Sequence, residues 1–117
     1  MYSLKKTERL TKKKSIQELF ERGSSFYLYP FKVFLKEIEG SSENQILISV
    51  PKSNFKRAVD RNKIRRRIRE GYRLNKTALV HEKKFMIAYI YSIKEILNSE
   101  RIQQSIVQTL NKITEKR

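Results

Sequence analysis

The sequence predicts an α+β fold, a two-layer α/β sandwich with element order αββαβα. Three observations carry this. Apolar residues recur at helical spacing in three segments, alternate with polar residues in Phe31–Ile38, and run almost unbroken through Lys84–Tyr91. A chain of 117 residues holds one modest hydrophobic core, so a single domain over residues 1–117 is expected. With 38% hydrophobic residues, that core is thin.

The opening residues 1–14 carry Lys5, Lys6, Arg9, Lys12, Lys13 and Lys14 with only Leu4 and Leu10 as apolar anchors, the pattern of an extended, partly mobile basic arm. Ser15 and Glu18 have the spacing of a capping box, and Ile16, Leu19 and Phe20 then share a face, predicting a short helix over Ser15–Arg22 that stops at Gly23. In the first strand, Phe31, Val33 and Leu35 point one way, and Lys32, Phe34 and Lys36 the other. The turn-rich residues 39–44 lead to a second strand, Gln45–Val50, ended by Pro51, and a hairpin is the simplest pairing. A long helix is expected over about Arg57–Asn75, with Ile64, Ile68, Gly71 and Tyr72 on its inner face. Lys84–Tyr91 reads as the central strand. Ser92 and Glu95 suggest a second capping box before a brief turn. Beyond Ser99, Ile102, Ile106, Leu110 and Ile113 mark the last helix, and Lys116-Arg117 ends the chain as a basic tail.

Charge narrows the function. Lys and Arg number 27 against 12 Asp and Glu, a net charge of +15 whose self-repulsion a polyanion would relieve, so nucleic acid is the leading partner class. There is no cysteine, which removes disulfides, thiolate catalysis and cysteine metal sites and fits a reducing cytoplasm. No apolar run approaches the ~20 residues that span a bilayer, and the N-terminus lacks a signal-peptide pattern, so a soluble intracellular protein with no membrane partner is expected. His81 is the only histidine and reads as a loop residue; the three glycines make no phosphate-cradling loop. No catalytic constellation and no protein metal site is expected.

Residues 52–76 hold 11 basic side chains against Asp60 and Glu70. Guanidinium groups bind phosphate oxygens bidentately, and Asn62, Arg65, Arg66, Arg69 and Arg73 form one arc of the helix, with Arg61 at the edge of its apolar stripe. A merely solvated face would mix signs at i,i+4 spacing, whereas Arg61/Arg65, Arg65/Arg69 and Arg69/Arg73 repel. A second surface joins Ile16 and Phe20 to Lys32, Phe34, Lys36 and Ser49, if helix and sheet leave a groove between them. Aromatic rings among lysines suit single-stranded nucleic acid; ordinary core is the alternative for Ile16 and Phe20.

The stretch Ser49-Val50-Pro51-Lys52, then Ala58-Val59-Asp60-Arg61-Asn62-Lys63-Ile64-Arg65-Arg66-Arg67-Ile68-Arg69-Glu70, resembles the signature of the bacterial ribonuclease P protein component. The similarity extends to the opening Leu4-Lys5-Lys6 through Arg9-Leu10, the first helix ending at Phe20 with Gly23 after it, and the element order. It implies the protein subunit of an RNA-based endoribonuclease that removes the 5′ leader of precursor tRNA. The partner RNA would do the chemistry with Mg2+, without a protein active site. By position, Arg61, Asn62, Lys63, Arg65, Arg66 and Arg69 would contact that RNA, with Arg73 added from the helix arc. Ile16, Phe20, Phe34 and Ser49 would wall a leader cleft, completed by Lys32, Lys36 and Lys52. The implied partners are ribonuclease P RNA and precursor tRNA, with no obligatory protein partner. The implied fold resembles domain 2 of ribosomal protein S5, with a left-handed βαβ crossover. This chain departs from the family pattern at Lys63, which keeps charge but loses the arginine fork, at Pro51-Lys52-Ser53 and Lys56-Arg57, and at Ile16, a place often aromatic. A general RNA-binding or ribosome-associated module without a role in cleavage remains the alternative. A membrane-surface protein would need the Ile64–Ile68–Tyr72 stripe that the core requires.

Overall fold

A computed structural model describes residues 4, 6–41, 43–79 and 82–115. His81, Lys5, Ser42 and the Lys116-Arg117 tail lie outside the described residues. The elements are α1 (Lys13–Arg22), β1 (Ser24–Leu28), β2 (Phe31–Ile38), β3 (Gln45–Ser49), α2 (Ala58–Asn75), β4 (Lys84–Tyr91) and α3 (Ser99–Glu115). One four-stranded sheet runs β1-β2-β4-β3.

Two expectations about the sheet are corrected. A fourth strand, β1, precedes the expected first one and pairs antiparallel with β2 across Tyr29-Pro30, whose peptide bond is cis. The expected hairpin between residues 31–38 and 45–50 does not form, because β4 lies between these strands, antiparallel to β2 and parallel to β3. The physical reason is burial. In β4, Phe85 through Tyr89 are all buried, so the strand needs cover on both faces and partners on both edges. Such a strand takes the centre, and two neighbours in sequence are parted to make room.

Alternation then sorts the side chains onto two faces. On one, Phe31, Val33 and Leu35 of β2 meet Ile87, Tyr89 and Tyr91 of β4 under α2 and α3. The α2 residues buried there are Ile64, Ile68, Gly71 and Tyr72, the stripe expected from the sequence. A Cβ on Gly71 would touch Gln103 Cγ and Ile106 Cγ1 at 3.4 Å, so α2 and α3 approach closely at that turn. On the other face lies a smaller cluster of Leu10, Leu19, Met86 and Ala88, with Ile16, Phe34, Ile38 and Leu47 packed on it. The helices therefore do not share one side of the sheet: α1 stands opposite α2 and α3. Burying Leu19 completely stabilises its docking by about 2 kcal/mol.

Local signals are used differently from what their spacing suggests. α1 begins at Lys13, with Lys12 at the cap and no side-chain cap bond, so Ser15 sits inside the helix and the Ser15/Glu18 box is not built. The helix starts early because Leu10, fixed by its N–H to Ile46 O at 3.0 Å, leads the chain straight into the first turn. The second box is not built either: the Ser92 hydroxyl donates to Pro30 O, and Glu95 O accepts from Tyr91 Oη. α3 is capped one residue earlier than Ser99, by Asn98 Oδ1 accepting Arg101 N–H at 2.8 Å.

Of the residues expected as an arm, the described ones that precede α1 run beside β3. Leu4 and Leu10 are buried, Arg9 forms a parallel bridge with Ile46, and Glu8, 5% exposed, pairs with Lys76 Nζ at 2.7 Å. The pair fastens this segment to the residue after α2.

Three phenols are held in the core. Tyr89 Oη is hydrogen-bonded to Thr109 Oγ1 at 2.6 Å, and burial pushes the Tyr72, Tyr89 and Tyr91 hydroxyls above the ordinary tyrosine pKa. A raised folded-state pKa means that the native state keeps its protons where the unfolded chain loses them. Their contribution is intact below the unfolded value of about 10 and is lost as pH rises past it. Stability measured by denaturant titration should therefore fall above about pH 10, and Tyr89→Phe should make that fall shallower. An unaltered slope in the variant would exclude Tyr89 as a contributor.

Candidate nucleic-acid interface

The 18 residues of α2 span about 27 Å at helical rise, and the inward stripe leaves the basic residues on the remaining arc. Asn62, Arg66 and Arg69 are exposed, while Arg61, Lys63, Arg65 and Arg73 are half-buried. The arc is not uniform in what its members are free to do. Arg61 Nη1 donates to Phe55 O and Lys56 O, both at 2.8 Å, holding the loop that precedes the helix. Arg73 Nη2 is bound to Glu70 Oε1 at 2.6 Å. Arg67, which the sequence left off the arc, donates to Leu97 O at 2.7 Å and ties α2 to the approach of α3. Arg65 Nη1 donates to Asn62 Oδ1 at 2.9 Å, so Asn62 orients a neighbouring guanidinium. The outward cationic set is thus centred on Arg65, Arg66 and Arg69, with Lys63 beside it.

The second surface is built by register. β2 residues Lys32 and Phe34 lie opposite Ile90 and Ala88 of β4, which lie opposite Ser49 and Leu47 of β3. Side chains in register share a face, so Lys32, Ile90 and Ser49 form one row, and Phe34, Ala88 and Leu47 the next. With strands about 4.8 Å apart, Lys32 and Ser49 stand about 10 Å apart across the row. α1 covers the second row: the Phe20 and Phe34 rings meet edge to face at 4.8 Å, and Ile16 packs on the cluster below. Ile16 and Phe34 thus also belong to the small core, while Phe20 is 37% exposed. Lys32 lies 5.7 Å from the Phe34 ring centre, and Lys36 pairs with Glu18 at 3.6 Å. Lys52 is exposed in the turn after β3.

Sequence reasoning missed Ile90 as a member of this row, because a nearly all-apolar strand conceals which of its residues face the open side. Tyr27, 55% exposed and opposite Lys32 in β1, was missed with its strand. The signal available was the alternation of Ser25 and Tyr27 with Phe26 and Leu28.

Chemically, the arrangement offers cations, rings and hydrogen-bond groups. Among the described residues no three His, Asp or Glu side chains come together, so they do not fit a magnesium ion caged by this chain. Also among the described residues, no helix is long and apolar enough to cross a membrane.

Fold and site together define a small basic α+β protein whose crossover helix, between parallel β3 and β4, presents arginine to solvent. The family model for ribonuclease P matches residues 4–114. The ribonuclease P protein component of Porphyromonas gingivalis is 32% identical over 119 residues, covering 96% of this chain and 87% of that protein. Among solved structures, the RNase P protein of Thermotoga maritima superposes with a TM-score of 0.77 at 26% identity, covering 91% of this chain and 97% of the other. That of Staphylococcus aureus gives 0.73 at 27% identity, covering 92% and 95%. The chain belongs to the ribonuclease P protein family, and with it to tRNA processing and an endoribonuclease complex.

Proposed function

We propose that this chain is the protein subunit of a ribonuclease P, binding the catalytic RNA through α2 and the single-stranded leader of precursor tRNA across the open face of the sheet. The observation that carries this reading is the pairing of two distinct surfaces. One is a helix with Arg65, Arg66 and Arg69 outward, suited to phosphates of a folded RNA. The other is a row of Lys32, Ile90 and Ser49 beside the Phe20–Phe34 rings, whose cations and aromatic faces suit unstacked bases. The magnesium ions would be held by the RNA, which would perform the hydrolysis; the protein would position substrate. The cytoplasm, where precursor tRNA is made, is the proposed location.

The test is cleavage of a precursor tRNA by its cognate ribonuclease P RNA at low magnesium, with and without the chain. Rescue of correct 5′ cleavage is expected, with no cleavage by the chain alone. Phe34→Ala should reduce the preference for precursor over mature tRNA by about tenfold, the worth of one base stacked on a ring. Tight RNA binding without rescue would favour the general RNA-binding module. An equal loss of affinity for precursor and mature tRNA in Phe34→Ala would remove the leader from the sheet face.

A further inference from the structure

β3 is an edge strand, and only part of its outer edge is covered. Arg9 bridges Ile46, and Leu10 N–H donates to Ile46 O at 3.0 Å. The peptide groups of successive strand residues point to alternate edges, so the N–H and C=O of Ile48 face the same outer side as those of Ile46. Among the described residues no further backbone pairing reaches them. At that place a cavity of about 350 Å³ opens between the N-terminal segment and α2. Leu4, Leu10, Ile46 and Ile48 give it an apolar lining, and Arg9, Arg65 and Arg69 line it with charge.

We propose that this cavity receives one unpaired nucleotide of the bound RNA, its base against the apolar lining and the Ile48 peptide group, its phosphate on the arginines. The inference rests on the RNA-binding reading above and assigns to one place the kind of RNA element bound there. A seat for phosphate alone has no use for an apolar wall, and a membrane of apolar tails has no use for three guanidiniums. A nucleobase has an apolar face and an edge that carries donor and acceptor side by side, matching one peptide N–H and C=O. A paired base cannot enter, since its edge is occupied and its faces are stacked.

Two of the three arginines are held before any ligand arrives: Arg65 by Asn62 Oδ1 at 2.9 Å, and Arg9 by Leu4 O at 3.2 Å. Groups already ordered lose less freedom on binding. Addition of an acidic peptide as a further strand would use the same edge. The edge is short for that purpose, because Pro51 follows two residues after Ser49 and Ile48 is the one outward peptide group left in β3.

The experiment is an NMR titration of the 15N-labelled full chain with adenosine monophosphate, ribose 5-phosphate, and a glutamate-rich peptide. Adenosine monophosphate should shift the Ile48 amide together with the Arg65 and Arg69 side chains, whereas ribose 5-phosphate should shift the arginines alone. In R65Q/R69Q, whose substituted side chains leave the core untouched, the dispersed spectrum should persist and adenosine monophosphate should bind at least tenfold more weakly. Equal movement of Ile48 by the two phosphates would reduce the cavity to a phosphate seat and overturn the proposal. Greater movement by the peptide would make the edge a strand-docking site and overturn it as well. Because the titration contains no ribonuclease P RNA, its failure is separate from failure of the cleavage assay. A chain that does not rescue cleavage yet binds the base at Ile48 would lose the subunit role and keep the cavity.

Discussion

Replacing Arg65 and Arg69 together by alanine is expected to weaken binding of ribonuclease P RNA by about 100-fold. A charge-assisted hydrogen bond from each guanidinium to phosphate contributes about 1.5 kcal/mol, and every 1.4 kcal/mol is a tenfold change in affinity. Both stand on the outward arc of α2, whereas Arg61 and Arg67 are engaged by the backbone carbonyls Phe55 O and Leu97 O and Arg73 by the Glu70 carboxylate. Arg65 is only oriented, by the neutral Asn62 Oδ1. Binding at each phosphate also releases counterions, so the slope of log affinity against log salt should become shallower by about 1.4 to 1.8. Affinity measured at several salt concentrations reads both quantities. A weakened affinity with an unchanged slope would mean that the two side chains touch something other than phosphate.

Gly23→Ala should destabilise the fold by about 2 to 3 kcal/mol, the upper end of what an overpacked site costs. The glycine ends α1, but its φ is −76°, a backbone conformation open to any residue, so the requirement is one of space. A Cβ there would collide with Leu19 O and stand 2.9 Å from Leu35 O. Both are backbone atoms fixed by helix and sheet, and the chain must part α1 from β2 to admit the methyl group. Thermal melting should shift down by roughly 8–15 °C for a domain of this size. Gly71→Ala is the internal comparison: its Cβ meets side chains at 3.4 Å, and alanine is the better helix former by about 1 kcal/mol, so the two effects nearly cancel. If Gly23→Ala melted like Gly71→Ala, the packing of α1 on β2 would be looser than the geometry indicates.

The long helix was legible in the sequence because two independent patterns coincide on it. The apolar positions Ile64, Ile68 and Tyr72 and the basic arc have the same period, and the buried residues of α2 are the predicted ones. The alternation of Lys32 and Phe34 with Phe31 and Val33 likewise placed one side of the sheet correctly. β1 was not legible: Ser24-Ser25-Phe26-Tyr27-Leu28 is short, half-polar and shallowly buried, and a strand of that kind exists because β2 offers it a ladder. The pairing of β2 with β3 was misjudged for a related reason. Adjacency in sequence favours a hairpin, but the most apolar strand gains most from two partners, and that gain decided the order. Register is what brings Ser49 into line with Lys32. It is a property of three strands together and has no local trace. The roles of Arg61 and Arg67 as loop clamps were hidden because a composition count treats all guanidiniums alike.

The strand order has a consequence for the chain as it is made. β2 and β3 share no edge, and each waits for β4, whose last residue, Tyr91, follows Ser49 only after the whole arginine-bearing helix has been translated. At about 5–20 residues per second that interval lasts roughly 2–8 s. Throughout it the emerging polypeptide exposes the β4-facing edges of β2 and β3 beside its greatest density of positive charge, and the β1–β2 hairpin made earlier covers only the far edge of β2. The sheet therefore closes late and through distant partners, which places its assembly among the slower, topology-limited events for a protein of its length.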